Sequence, residues 1–462
     1  MTYYQQTTGL RTFLPSIALL LTAVLSSVGS HLISGIQAQD RLPLASLPVA
    51  PPRIAAVPGG QQSDRVVEVP HPAQGVRAGI DVLIEKNFAV LRGKRIGLVT
   101  NQTGITRDGR STIDVLARAS GVKLVALFGP EHGVRGNVQA GRSVRNSRDA
   151  RTGLPVYSLY GGTKRPSAQM LRGLQALVFD VQDIGSRSYT YISTLGACMA
   201  ACAAHGVPLV VLDRPNLVGG NRIEGNIREN AMRSFVGAFP IPYNHGLTIG
   251  ELARMINGRG WAGKKRCNLS VIGMRGYRRS MRLEETGLPW KATSPNIPYS
   301  YSPYFYAATG IVGELSTLSI GIGTEFPFQV AGAPGLDAWA LAGELSRRHL
   351  AGVSFSAVQW RPTRGAYAGR TCTGVQIDFT DVGAASLTRL NFEIMDAVRK
   401  IKPSHRFFGS SHAKDRMFDL CCGTTRVRRM FQAGQSAAQI WAAWNAGSAT
   451  FRAQRKPYLL YS

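Results

Sequence analysis

Glu131 and His132 stand where an apolar run stops. Lys123-Leu-Val-Ala-Leu-Phe128 is followed by Gly129-Pro130, and then a carboxylate and an imidazole precede Gly133. The run has the length and composition of a buried strand, and Gly-Pro ends it. A carboxylate held at the carboxyl end of a strand can donate or accept a proton, the step that acid–base catalysis needs. The pattern recurs nearby: Asn101, Tyr160, Asp183 and Asp213 each lie just past another apolar run, or within a few residues of its end. One such residue would be ordinary turn chemistry, because Asn and Asp favour turns and caps. Five in register point to one crevice, since an open parallel sheet gathers its ligand-facing groups at its carboxyl edge.

The runs that position these residues alternate with helical patterns. Residues 95–100, 123–128, 154–159, 176–181 and 208–212 read as strands, and 111–119 and 191–205 as helices. The longer helix carries Ile192, Leu195, Met199 and Cys202 along one face. This alternation predicts the α/β class, a Rossmann-like, doubly wound and mostly parallel sheet covered on both faces. After Asn257 the composition shifts to Gly, Arg, Lys and Trp. The expected organisation is a catalytic domain over 77–262 and a smaller α/β domain over 263–462 that completes the cleft, opened by a strand at 268–273. Further helices are expected at 337–349, 386–400 and 437–446, and a strand at 374–380.

Other candidates carry a bland reading beside the chemical one. Thr248 and Glu251 have capping-box spacing ahead of an apolar helix, so Glu251 is expected to cap rather than catalyse. His245 precedes that cap on a loop, with a ligand contact and a structural role both open. Ser294-Pro-Asn296-Ile-Pro298 reads as a rigid extended loop. The glycine-spaced segment 313–328 offers Glu314 and Glu325, either of which could equally be a solvated turn residue. It lacks G-x-G-x-x-G and a preceding strand, so no dinucleotide cofactor is expected. Glu131, His132, Asp180, Asp183, Asp213 and His245 show no metal-ligand spacing, and no metal is assigned. Ser411-Ser-His-Ala-Lys414 has S-x-x-K spacing without its companion motifs and reads as chance.

Arg11 ahead of the apolar residues 13–28, with Gly35-Ile-Gln-Ala38 after them, predicts a secretory signal over 1–38, the alternative being an uncleaved anchor. The Pro- and Gly-rich residues 39–76 read as a flexible linker. Export to the periplasm or medium follows, with no stable membrane span once the signal is cut. The net charge of +27 favours a polyanion, or else reflects an arginine-rich background. Nucleic acid is disfavoured, as no zinc spacing, helix-turn-helix or RNA-binding signature is present. All six cysteines lie at or after Cys198; Cys198 and Cys202 read as core, whereas Cys267, Cys372, Cys421 and Cys422 could form disulfides in an oxidising compartment.

With these residues in view, the chain resembles the exo-β-N-acetylmuramidases, glycosidases of bacterial cell-wall sugars formerly grouped as a family of unknown function. The resemblance rests on Gly97-Leu-Val-Thr-Asn101-Gln-Thr-Gly104, Phe128-Gly-Pro-Glu131-His132-Gly133, Asp180-Val-Gln-Asp183-Ile-Gly-Ser-Arg187-Ser-Tyr189-Thr-Tyr191, Asp213-Arg214-Pro-Asn216, His245-Gly-Leu-Thr248 and the closing stretch 451–461. It implies a Rossmann-like domain and a smaller domain with the active site between them, no nicotinamide, and release of N-acetylmuramic acid from non-reducing ends of peptidoglycan-derived muramyl glycans.

The residues suit that chemistry. Glycoside hydrolysis needs an acid for the leaving oxygen and, commonly, a second carboxylate. Glu131 is the expected acid/base, with His132 beside it, and Asp183 or Asp213 the second carboxylate; an acetamido group could instead serve as the substrate's own nucleophile. Arg187 would hold the lactyl carboxylate bidentately, or instead pair with Asp183. Tyr189 and Tyr191 would stack on the sugar or bond its hydroxyls. Asn101, Asp180, Arg214, Asn216, His245, Asn296, Glu314 and Thr324 complete the expected substrate contacts. Thr317 and Ile322 replace an Asn and an Arg that many members carry, which marks a divergent subgroup and leaves the sugar open. The competing readings are a non-catalytic glycan-binding protein and a metal-dependent hydrolase.

Overall fold

A computed structural model describes residues 75–135 and 146–462. The expected signal and nearly all of the linker lie outside the described residues. Seven strands form the large sheet: β1 (Arg95–Thr100), β2 (Lys123–Gly129), β3 (Ser147–Arg148), β4 (Pro155–Ser158), β5 (Ala176–Asp180), β6 (Leu209–Leu212) and β7 (Leu269–Ile272). Their order is β3-β4-β2-β1-β5-β6-β7. Every pairing is parallel except that of the short edge strand β3.

Side-chain alternation builds a core on each face. Ile96, Leu98, Val178, Val210 and Leu212 point to one side, against helices Gly79–Glu85 and Thr112–Arg118. Val99, Phe128, Leu177, Phe179, Leu209 and Val211 point to the other, against Tyr191–His205 and Ile249–Arg259. Full burial contributes about 1.5–3 kcal/mol for each such side chain. Gly97 in β1 leaves room for this packing, as a Cβ there would lie 2.8 Å from the Phe128 ring. The fold is thus the expected doubly wound α/β sheet.

The strand expected to open the second part, β7, instead closes the edge of the large sheet by pairing with β6 from Leu209↔Leu269 to Leu212↔Ile272. The smaller second sheet, order β8-β10-β9, is antiparallel: β8 (Val330–Ala333), β9 (Val353–Trp360) and β10 (Cys372–Phe379). Helices Ser302–Gly313, Ala338–Ser346 and Arg389–Ile401 pack with it. Ile184, Leu217, Val218 and Tyr243 from the first part enter the same core. Glu224 adds a polar tie, accepting from Leu387 N (3.3 Å), Thr388 N (2.9 Å) and Thr388 Oγ1 (2.9 Å) just ahead of helix Arg389–Ile401.

All six cysteines are buried free thiols, so the disulfides held open for Cys267, Cys372, Cys421 and Cys422 are not formed. Ser411 caps helix His412–Cys422, which accounts for the S-x-x-K spacing structurally. Among the described residues no helix is long and apolar enough to cross a membrane.

Candidate functional site

The strand order reverses around β1, whose neighbours are β2 on one side and β5 on the other. Such a switch point opens a crevice beyond the carboxyl ends of the strands. Asn101 leaves β1 there, Glu131 follows β2, and Asp183 follows β5.

Glu131 is aimed by its turn. His132 (φ 73°) and Gly133 (φ 73°) are both left-handed, an uncommon conformation for a histidine and one that marks a constrained site. Thr190, at the start of helix Tyr191–His205, donates its hydroxyl to Glu131 Oε2 at 2.7 Å. The Tyr160 hydroxyl also bonds this carboxylate; burial and the Glu131 charge push its pKa far above the ordinary phenol value, so it remains a donor. His132, within the turn, is buried.

Asp183 has the opposite surroundings. Its Oδ1 accepts from Gly185 N at 2.7 Å, while its buried Oδ2 has no hydrogen-bond partner. Burial raises its pKa to about 7 against the lowering effect of the Gly185 and Ile184 amides. One carboxylate oxygen is therefore held and the other enclosed without a partner.

Asp213, the rival second carboxylate, is spent on structure. Its oxygens accept from Arg214 N (2.9 Å), Gly250 N (2.7 Å), Thr248 Oγ1 (2.8 Å) and Tyr461 Oη (2.6 Å). Burial still raises its pKa to about 6. It anchors the first turn of helix Ile249–Arg259 to β6 and to the closing segment. Glu251 caps that helix as expected, accepting from Thr248 N at 3.0 Å.

Several expected substrate contacts are likewise structural. Asp180 is fully buried, bonded by Thr112 Oγ1 at 2.5 Å and paired bidentately by Arg214 at 2.6 and 2.9 Å. Asn216 donates to Leu247 O at 2.9 Å and accepts from Val218 N at 3.1 Å. His245 accepts from Leu247 N at 3.2 Å, and burial, with Arg455 and Arg187 nearby, lowers its pKa to about 3, so it is neutral. Arg187 neither pairs with Asp183 nor faces the crevice. It is fully buried and donates to the carbonyls of Asn226 (2.8 Å), Ile241 (2.6 Å) and Cys421 (2.9 Å). Burial brings its pKa down to about 10.

Tyr189 and Tyr191 do reach the crevice, but as its frame. Tyr189 Oη donates to Thr293 Oγ1 at 2.9 Å and Tyr191 Oη to Thr293 O at 2.7 Å, pinning the loop that leads into Ser294-Pro-Asn296. Tyr191 is 1% exposed and cannot stack on a sugar. Tyr189 meets Tyr191 and Tyr306 edge-on, at 5.0 and 5.7 Å between centroids. Thr190, Thr293 and Tyr306 were not singled out from sequence; Thr190 lay within the Tyr189–Tyr191 stretch, whereas Thr293 and Tyr306 left no signal.

In the second part, Asn296 Oδ1 accepts from Arg364 Nη2 at 2.9 Å. Thr324 closes its own turn, donating to Gly321 O at 2.7 Å and accepting from Phe326 N at 3.0 Å. Glu314 ends helix Ser302–Gly313 near the Tyr243 and Tyr306 hydroxyls, and burial lifts its pKa to about 7. Asn101 Oδ1 accepts from Thr103 N (2.9 Å) and Oγ1 (2.5 Å), while its Nδ2, beside the Tyr191 hydroxyl, makes no well-aligned bond. No three His, Cys, Asp or Glu side chains gather into a metal-binding group among the described residues.

Of the expected residues, Glu131, Asp183, Asn101 and Tyr189 thus gather at the switch point, with a hydroxyl-buttressed carboxylate on one side of β1 and a half-free carboxyl on the other. Residues 96–300 match the family described as exo-beta-N-acetylmuramidase NamZ, N-terminal, and 304–461 its C-terminal counterpart. The peptidoglycan beta-N-acetylmuramidase NamZ of Bacillus subtilis (strain 168) is 40% identical over 386 residues, covering 84% of this chain and 91% of that one. Two crystal structures of DUF1343 family proteins from Bacteroides fragilis NCTC 9343 share the fold. The first has a TM-score of 0.81 at 43% identity, covering 85% of this chain and 100% of that one. The second has a TM-score of 0.67 at 30% identity, covering 84% and 99%.

Proposed function

Because the chain belongs to the exo-β-N-acetylmuramidase NamZ family and is a glycoside hydrolase, we propose that it is an exported enzyme releasing N-acetylmuramic acid from the non-reducing ends of peptidoglycan fragments during cell-wall turnover. The observation that carries the reading is the pair of unlike carboxyl groups flanking Asn101. Glu131, bonded by Thr190 and Tyr160, is the general acid that protonates the leaving oxygen and the base that then activates water. Asp183, with one oxygen free, is the second carboxylate, set at the anomeric carbon or at the acetamido group. Thr293, fixed by two tyrosine hydroxyls, carries the loop that closes over the sugar. Export is supported by the charged, apolar and small-residue order of the first 38 residues.

The test is hydrolysis of a chromogenic N-acetylmuramic acid β-glycoside. Wild type is expected to cleave it and Glu131→Gln to lose about 10²–10⁴-fold in kcat, the usual contribution of a positioned acid. A wild type inactive on this glycoside, or a fully active Glu131→Gln, overturns the reading. Recovery of mature protein lacking residues 1–38 outside the cytoplasm tests export.

A further inference from the structure

A recess of about 770 Å³ runs from the same sheet edge, on the β2 side of β1, along helix Thr112–Arg118 toward the amino ends of the strands. This is within the size range of small-ligand sites, roughly 300–1,000 Å³. Asn101 and Gln102 form its inner wall, helix Thr112–Arg118 one flank, and Val134 and Arg135 the flank nearest Glu131. Asp183, by contrast, follows β5 on the far side of β1.

Its charges are unevenly matched. Arg110 pairs with Asp108 at 2.8 Å, Arg135 with Asp149 at 2.9 Å and Arg151 with Asp114 at 3.1 Å. Arg118 and Lys291, both exposed on the wall, are in no ion pair among the described residues. Lys291 is held at the rim because Gln102 Nε2 donates to the next two carbonyls, Ala292 O at 2.8 Å and Thr293 O at 3.1 Å. Gln102 Oε1 and Asn101 Nδ2 are closed off from solvent, Asn101 Nδ2 beside the Tyr191 hydroxyl, so the open wall is set by the two cations.

We propose that this recess holds the leaving-group side of the substrate, an anionic glycan strand whose carboxylates meet Arg118 and Lys291. The inference rests on the exo-muramidase reading. A general acid at Glu131 places the departing sugar on its own side of the crevice, and the recess wall begins three residues beyond Glu131. Two unneutralised cations along the recess suit a polymer bearing a carboxylate on alternate sugars. The carboxylate is the lactyl group in peptide-free strands and belongs to the stem peptide where one is attached.

The experiment compares wild type with the double variant Arg118→Glu/Lys291→Glu, and with Lys264→Glu/Lys265→Glu, which makes the same charge change at exposed positions that do not line the recess. Three substrates are used: the chromogenic monosaccharide glycoside, a peptide-free strand of four or more sugars, and the same strand carrying stem peptides. The recess variant is expected to keep kcat/KM on the monosaccharide within about twofold and to lose about tenfold or more on a strand. Loss on the peptide-free strand identifies lactyl carboxylates, and loss on the peptide-bearing strand alone identifies those of the stem. Raised salt should shrink the strand advantage of wild type. Unchanged strand kinetics in the recess variant, or equal loss in both double variants, overturns the inference. Failure of wild type on the monosaccharide would instead overturn the muramidase reading itself. Melting temperatures near wild type confirm that the variants are folded, and Arg118→Gln/Lys291→Gln repeats the test without charge reversal.

Discussion

Asp183 and Asp213 show how two aspartates in similar sequence positions come to differ. Both follow apolar strands and both are buried, yet Asp213 receives four hydrogen bonds and Asp183 leaves one oxygen bare. The pKa of Asp183, raised from 3.8 to about 7, means that the folded state prefers its neutral form. The stability lent by that proton is complete below about pH 4 and lost as pH rises through 7, by the order of 4 kcal/mol as an upper bound. Asp183→Asn should therefore be more stable than wild type at pH 8 and gain little at pH 4.5, as read by urea melts; equal gains at both would contradict the burial of an ionisable group. Glu314 carries a slope of the same sign and leaves a residual pH dependence in the variant. If Asp183 works ionised, kcat/KM rises through an apparent pKa near 7, and the asparagine variant loses both that limb and most of the rate. Tyr160→Phe removes one donor to Glu131 and should lower kcat by about tenfold with KM little changed; an unaltered kcat would remove Tyr160 from the site.

Among the elements, Arg187 joins pieces distant in sequence. It gathers carbonyls from three segments, including Cys421 at the end of helix His412–Cys422. Lysine keeps the charge but not the planar fork, so Arg187→Lys is expected to cost about 2–4 kcal/mol of unfolding free energy. Activity of the folded fraction should stay within about threefold, since the side chain is away from the crevice. A raised KM with unchanged stability would return Arg187 to substrate binding. Its sequence context misled because a guanidinium four residues from Asp183 reads equally as an ion pair, a ligand contact or a backbone clamp, and only the packing decides. The strands of the large sheet were legible apart from the two-residue edge strand β3, since 95–100 and 176–181 are apolar runs bounded by turn residues, as strands buried on both faces must be. Helix Ser302–Gly313 was not: ten of its twelve residues are buried, so it carries no polar stripe from which to read a period. Strand β9 did hold a signal, since Val-Ser-Phe-Ser-Ala-Val-Gln-Trp alternates and its burial largely alternates too.

For the whole molecule, the convergence of Asn101, Glu131 and Asp183 on one sheet edge could be anticipated because it follows from topology, whereas the surroundings of Asp180, Asp213 and Arg214 could not, because each depends on partners far along the chain. The six unbridged thiols carry a prediction at this scale: a reducing agent should leave the melting temperature unchanged. A drop of several degrees would reveal a bridge formed after folding.

The closing segment reaches back to the first half of the fold. Leu460 N bonds Glu251 Oε1 at 2.9 Å, Arg254 Nη1 bonds the carbonyls of Tyr458 and Leu459 at 2.8 and 2.9 Å, and Tyr461 bonds Asp213 across a separation of 248 positions. At about 5–20 residues per second, a ribosome needs roughly 12–50 seconds to travel from one of those last two partners to the other. Through that interval Asp213 and the helix it anchors wait unfinished. The nascent first half is then a client for whatever shields incomplete domains, and a chain cut ahead of Tyr458 would stay in that condition for good.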